Sequence, residues 1–226
     1  MGHQAVDIVF QMIVFVFALS VHEAAHAWMA NKLGDPTARM LGRITLNPIK
    51  HADIFGTIIF PVIALVSHIP MLGWAKPTPV DTRNFKRPVL DDILTAVVGP
   101  ISNFLLAAIA LLLLAAIKLA SPEGRMILFS VLQNSVPNTN SFLAPMCLLL
   151  WQLMLINVFL GVFNLIPVPP LDGSHVIRHF LPESALRVYD MVGMFGLMAL
   201  VFLAPSFLGQ VIYPFVGVFV WALLAI

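Results

Sequence analysis

Charge is scarce in this chain. Asp, Glu, Lys and Arg supply 10% of its 226 residues, where a soluble domain carries about 25%. So little charge excludes an ordinary soluble domain. A net charge of +1 gives none of the basic excess that phosphate backbones attract, which excludes nucleic acid as a partner. Cysteine is nearly absent. Cys147 stands alone in an apolar run, so the chain has no internal disulfide framework, and this thiol packs as a small hydrophobe. No Lys or Arg precedes the first apolar run and no small-residue cleavage site follows it, so that run does not read as a signal peptide. No internal repeat and no low-complexity tract is visible.

What the chain has instead is apolar length: 60% of its residues are hydrophobic. About 20 consecutive apolar residues cross a bilayer as a helix. Five stretches fit: Ile8–Ala30, Ile93–Ile117, Ala144–Ile166, the shorter Val188–Leu203, and Phe207–Ile226. Pro205 separates the last two, which suggests a helical hairpin. A sixth stretch, Ile54–Leu72, is long enough to cross but is interrupted by Gly56, Pro61, His68 and Pro70. Basic residues gather in three connections: Lys32, Arg39, Arg43 and Lys50; Lys76, Arg83, Lys86 and Arg87; Arg178 and Arg187. The positive-inside tendency places all three in the cytoplasm. Ile54–Leu72 then enters and leaves on one face, and the other side receives the N-terminus and the Ala120–Leu143 loop. The alternative is a full span, which puts one of the first two basic connections outside. Gly73–Phe85, with Pro77 and Pro79, reads as an extended ribbon able to pair with another strand. The expected fold is an all-α polytopic membrane protein. It has five or six transmembrane helices and a short extended or re-entrant element after the first. It forms one domain, with a core over about 8–173 and a helical pair over about 188–226.

Within the first apolar run lies His22-Glu23-Ala24-Ala25-His26. On a helix the two histidines are one turn apart, share a face and can hold one metal ion, with Glu23 within reach of a water on that ion. Three ionisable groups in a membrane helix cost several kcal/mol each and are rare without a function. A catalytic zinc site takes three protein ligands and keeps one open position. One candidate for the third is Asp172, in Asn164-Leu165-Ile166-Pro167-Val168-Pro169-Pro170-Leu171-Asp172-Gly173. There prolines end a span, and the Asp-Gly pair suggests a non-helical turn with positive φ at Gly173. His175 and His179, four apart, are the other candidates, and they also read as interfacial histidines. Asn103 and Asn164 bring donors and acceptors to membrane depth, either for a substrate or for helix–helix hydrogen bonds.

These segments carry a resemblance. His22–His26 and Asn164–Gly173 match the first and last motifs of the site-2 protease family, zinc metalloproteases that cut within the membrane. Gly99-Pro100-Ile101-Ser102-Asn103 resembles the start of that family's middle core helix, and Gly42-Arg43-Ile44-Thr45-Leu46-Asn47-Pro48 resembles a stretch of its short bacterial members. The resemblance implies one Zn2+ per chain on His22, His26 and Asp172, with Glu23 catalytic. It implies hydrolysis of a peptide bond in a transmembrane segment of a membrane protein, in the lipid bilayer of a bacterial inner membrane. No regulatory domain is visible, and the oligomeric state is open. The rival reading is a polytopic carrier that binds a divalent metal, but a carrier has no use for Glu23 directly after the first histidine.

Overall fold

Long apolar runs can satisfy their backbone groups in a bilayer only as helices or closed barrels, and this sequence lacks the alternation of barrel strands. The computed structural model describes residues 2–66, 73–133, 135 and 141–226. Among these there is no strand. In chain order the helices are α1 (Gly2–Leu33), α2 (Thr37–Met40), α3 (Phe60–Val66), α4 (Pro88–Ala120), α5 (Pro122–Leu132), α6 (Leu143–Asn164), α7 (Asp172–Arg178), α8 (Glu183–Leu203) and α9 (Pro205–Ala225). Helices α1, α4, α6 and α9 are long and apolar enough to cross a membrane. Helix α8 is bent by 57° between Glu183–Met191 and Phe195–Val201 and makes a fifth candidate span. The chain is a multi-pass membrane protein. The five expected spans correspond to these five helices. The connection after α4, expected as a loop, contains the helix α5. Ser121 caps it by accepting from Gly124 N (3.2 Å), and Ile127, Leu128 and Val131 are buried.

Helix α4 is the hub, touching α1, α5, α6, α7 and α9. Its inner face is built from small residues: Ala96, Gly99, Ala107, Ala110 and Ala115 are buried. Its outer face carries Ile101, Leu105, Ile109 and Leu112, all exposed to lipid. Helices in a bilayer gain little from the hydrophobic effect and associate by close backbone approach, which small residues permit. Helix α1 has the same asymmetry. Ala18, Leu19, His22, His26 and Ala30 face inward, while Val9, Ile13 and Phe17 face outward. Lys118, buried near the end of α4, donates to Leu223 O (2.9 Å) and Leu224 O (3.1 Å), carbonyls that the end of α9 leaves unpaired.

The flanks of Ile54–Leu72 meet. Helix α1 ends at Gly34, whose φ of +117° reverses the chain, and Asp35 follows, fully buried. Asp35 Oδ1 accepts from Thr37 N (3.1 Å) and Asn84 Nδ2 (2.8 Å), and Oδ2 accepts from Asp81 N (2.8 Å). The end of α1 is thus tied to the segment that leads into α4, and both lie at the same end of the bundle. Between them, one wide turn of π-helical winding (Ile54–Ile59) runs into α3. Ile54–Ala64 is roughly 16 Å long, about half of a ~30 Å hydrocarbon core. Residues 67–72 lie outside the described residues. Cysteines placed singly at Met40 and Lys86, both exposed, in a Cys147→Ser background should react with an impermeant thiol reagent from the same side of sealed vesicles. Reaction from opposite sides would show that Ile54–Leu72 crosses completely.

Candidate active site

His22 and His26 project from α1 onto one stripe of α4, where Thr95, Gly99 and Asn103 follow at helical spacing. Each of the three does something different. A side chain at Gly99 would overlap His26 Nε2 and His22 Cε1, so glycine alone lets the two rings lie against the α4 backbone. One turn earlier, Thr95 O receives His26 Nδ1–H (2.6 Å), and a carbonyl can only accept. One turn later, Asn103 Oδ1 receives His22 Nδ1–H (2.6 Å). A relay sets that last polarity. Leu153 O must accept, so Asn157 presents its Nδ2 to it (2.8 Å). Asn157 Oδ1 then accepts from Asn103 Nδ2 (2.8 Å), which turns Asn103 Oδ1 toward His22. Asn103 and Asn157 are fully buried.

With both Nδ1 atoms protonated, the two neutral imidazoles present bare lone pairs at Nε2, and these lie 3.0 Å apart. Asp172 completes the convergence. Its Oδ2 lies 3.0 Å from His22 Nε2 and its Oδ1 3.4 Å from His26 Nε2. Oδ2 is buried and, despite that proximity, has no hydrogen-bond partner. Such a triad needs a positive charge at its centre. Ligand atoms on a tetrahedral zinc with bonds of about 2.0–2.1 Å are about 3.3 Å apart, so these donors fit that ion in both chemistry and separation.

Asp172 is the first residue of α7, a correction to the expected non-helical turn. Gly173 does not have a positive φ either. It is needed for space, because a side chain there would overlap Leu165 O and Ile166 O. That contact folds α7 back under the end of α6 and aims Asp172 at the histidines. His175 and His179 turn instead to Asp92 of α4, at 3.3 Å and 2.7 Å.

Glu23 lies beside the triad. One ligand atom each from His22, Glu23 and His26 fall within 4.8 Å of one another. Its Oε2 accepts from Thr78 N (2.8 Å) and Thr78 Oγ1 (2.7 Å). Thr78 belongs to the expected ribbon, which crosses the site without forming a ladder. Alternate residues donate inward: Trp74 N to Gly56 O (3.1 Å), Lys76 N to His51 O (2.8 Å), and Thr78 N to Glu23. Pro77 and Pro79 have no N–H to offer on the other edge. Buried Arg43 braces the ribbon by donating to Lys50 O (2.6 Å) and Lys76 O (3.3 Å). Sequence reasoning missed Thr78, Thr95 and Asp92, whose roles arise only from contact between distant segments. Asn103 has both amide ends engaged inside the protein. Asn164 donates to Leu160 O (3.0 Å) and lies half-buried at the end of α6.

A polytopic bundle with a buried, electron-rich triad and an adjoining carboxylate has the form of a membrane-embedded hydrolase. The model of peptidase family M50 matches residues 10–203. A Bacillus subtilis (strain 168) protein named "Putative zinc metalloprotease YwhC" is 35% identical over 204 residues, 90% of this chain and 84% of the relative. A Mycobacterium tuberculosis (strain ATCC 25618 / H37Rv) protein of corresponding name, Rip2, is 28% identical over 222 residues, 94% of this chain and 73% of the relative. No solved structure matches the chain. This chain belongs to peptidase family M50, the site-2 protease family.

Gly99→Ala should abolish metal binding by pushing the imidazoles off α4, while helix content by circular dichroism stays at the wild-type level. Wild-type metal binding by this variant would show that the close approach is not required.

Proposed function

We propose that this chain is an intramembrane zinc endopeptidase that hydrolyses a peptide bond within or near a transmembrane segment of a membrane protein. The observation that carries this reading is the meeting of His22 Nε2, His26 Nε2 and the Asp172 carboxylate at 3.0–3.4 Å with Glu23 adjoining. The zinc-metalloprotease names of the relatives point the same way. His22, His26 and Asp172 hold the ion. Bound there, zinc supplies a water acidic enough to attack at neutral pH and polarises the scissile carbonyl.

The chain's own groups do the rest. Glu23 takes the proton from the attacking water and returns it to the departing amine. Thr78 holds Glu23 Oε2 with two donors, which fixes the carboxylate in place and leaves Oε1 to handle the proton. Asn103 holds His22 in the tautomer that exposes Nε2, and Thr95 O does the same for His26. A substrate helix conceals its carbonyls in its own hydrogen bonds and must unwind before attack, so its freed amides need new partners. Asn164 commits its Nδ2 to Leu160 O, and its Oδ1 is the acceptor we assign to a substrate N–H. The ribbon's inward donors are engaged and its prolines remove two donors from the other edge, so the task we assign it here is to orient Glu23. The catalytic core runs over about 8–173, and the helical pair over about 188–226 packs against it. The basic connections on the active-site side support a cytoplasmic position for that side in a bacterial cell.

Two variants test the division of labour. Glu23→Gln should retain one zinc per chain and lose cleavage of a model transmembrane peptide, because this side chain moves protons and is not a ligand. A metal carrier would bind zinc and cleave nothing even as wild type. Thr78→Val keeps the backbone donor but loses the hydroxyl, and should lower kcat about tenfold with KM unchanged. An unchanged kcat would remove Thr78 from the mechanism.

A further inference from the structure

Helix α7 carries the proposed third ligand and has a problem of its own. It is seven residues long, and no side chain caps its start. A helix this short is not stable by itself in water. Its first residue must nevertheless hold a carboxylate in fixed register with two imidazoles on another helix. Tertiary contacts have to supply that rigidity. Gly173 against the Leu165 and Ile166 carbonyls fixes one end.

The other end is fixed by a polar contact that the reaction does not use. Asp172, His175 and His179 follow at spacings of three and four, so they line one face of α7 and its last turn. The stripe of α4 that serves the histidines continues one further turn to Asp92, which is buried. Asp92 Oδ2 meets His179 Nε2 at 2.7 Å, and Asp92 Oδ1 meets His175 Nδ1 at 3.3 Å. Both imidazoles hydrogen-bond Oδ2, His179 Nε2 at 2.7 Å and His175 Nδ1 at 3.4 Å, so one buried carboxylate clamps the two of them. His175 is the more open of the pair, with 41% of its side chain exposed against 21% for His179.

We infer that Asp92 is a positioning residue for the metal site: through His179 and His175 it locks α7 against α4 and so sets the Asp172 carboxylate opposite His22 and His26. One stripe of α4 then places all three ligands: Asn103 and Thr95 act directly on the imidazoles, and Asp92 acts on the carboxylate through α7. The inference rests on Asp172 being a zinc ligand.

The test is zinc affinity measured against a competing chelator on the purified full-length chain in detergent, with kcat and KM on a transmembrane peptide as a second readout. Asp92→Asn keeps the shape and removes the charge that grips both histidines. It should weaken zinc binding about tenfold or more, the range seen when outer partners of metal ligands are lost, and lower kcat while leaving KM unchanged. The double variant His175→Asn/His179→Asn should weaken zinc to the same degree, and the triple variant should be no worse than either, because all three act through one clamp. Wild-type zinc affinity in Asp92→Asn overturns the inference, as do losses that add in the triple variant. If Asp92→Asn fails to fold, the more exposed histidine pair carries the test alone, and wild-type affinity there overturns it equally. Asp172→Ala is measured alongside. If it retains zinc, the ligand assignment itself is wrong and the clamp falls with it. If it loses zinc while Asp92→Asn does not, only the clamp is wrong.

Discussion

Everything at this site depends on two imidazoles lying close against the backbone of a neighbouring helix, edge to face with each other. The approach is possible because Gly99 has no side chain, and it brings His22 and His26 into range of groups one turn above and below. Thr95 O and Asn103 Oδ1 then take the two Nδ1 protons. Both Nε2 lone pairs are thereby aimed at the same point, which Asp172 reaches from α7. Moving α4 outward by the width of a methyl group would loosen all of these contacts at once. Pro100 sits in the same turn. It lacks the N–H that would bond Ala96 O, so the helix is relaxed where the rings press on it.

The bilayer makes this arrangement demanding. A polar group left unpaired at membrane depth costs several kcal/mol. The two imidazoles are therefore held by contacts that end on backbone carbonyls: His26 on Thr95 O directly, and His22 through Asn103 and Asn157 on Leu153 O. Buried cations follow the same rule. Lys118 ends on the carbonyls of Leu223 and Leu224, and Arg43 on those of Lys50 and Lys76. Among the described residues three buried side-chain atoms have no hydrogen-bond partner: Asp7 Oδ1, His51 Nδ1 and Asp172 Oδ2. The last lies against the Nε2 atoms of His22 and His26, and that convergence marks where a metal ion belongs.

The spans were legible because a bilayer writes them as apolar runs of fixed minimum length. His22, Glu23 and His26 were legible because a one-turn spacing brings residues together whatever the tertiary fold. Asp172 was legible as a polar residue behind three prolines, but the way it is presented was not: Gly173 is there for space, not for its φ, and only the path of the chain past Leu165 O reveals that. Asn103 could be picked out as a membrane asparagine, yet its orientation depends on Asn157, 54 residues further along. Thr78 and Asp92 left no local signal. A threonine between two prolines and an aspartate near a helix start are ordinary residues until α1 and α7 are packed against them. The helix α5 was hidden because Pro122, Glu123, Gly124 and Arg125 read as a loop, while the apolar face that follows is too short to suggest a span.

The central claim is that two imidazoles and one carboxylate converge on a single ion. X-ray absorption at the zinc edge of the purified protein reads that coordination sphere directly. The account predicts two imidazole nitrogens at about 2.0–2.1 Å, the rest of the shell oxygen, and no sulfur. A shell with one imidazole, three imidazoles, or a sulfur at about 2.3 Å from Cys147 would contradict it.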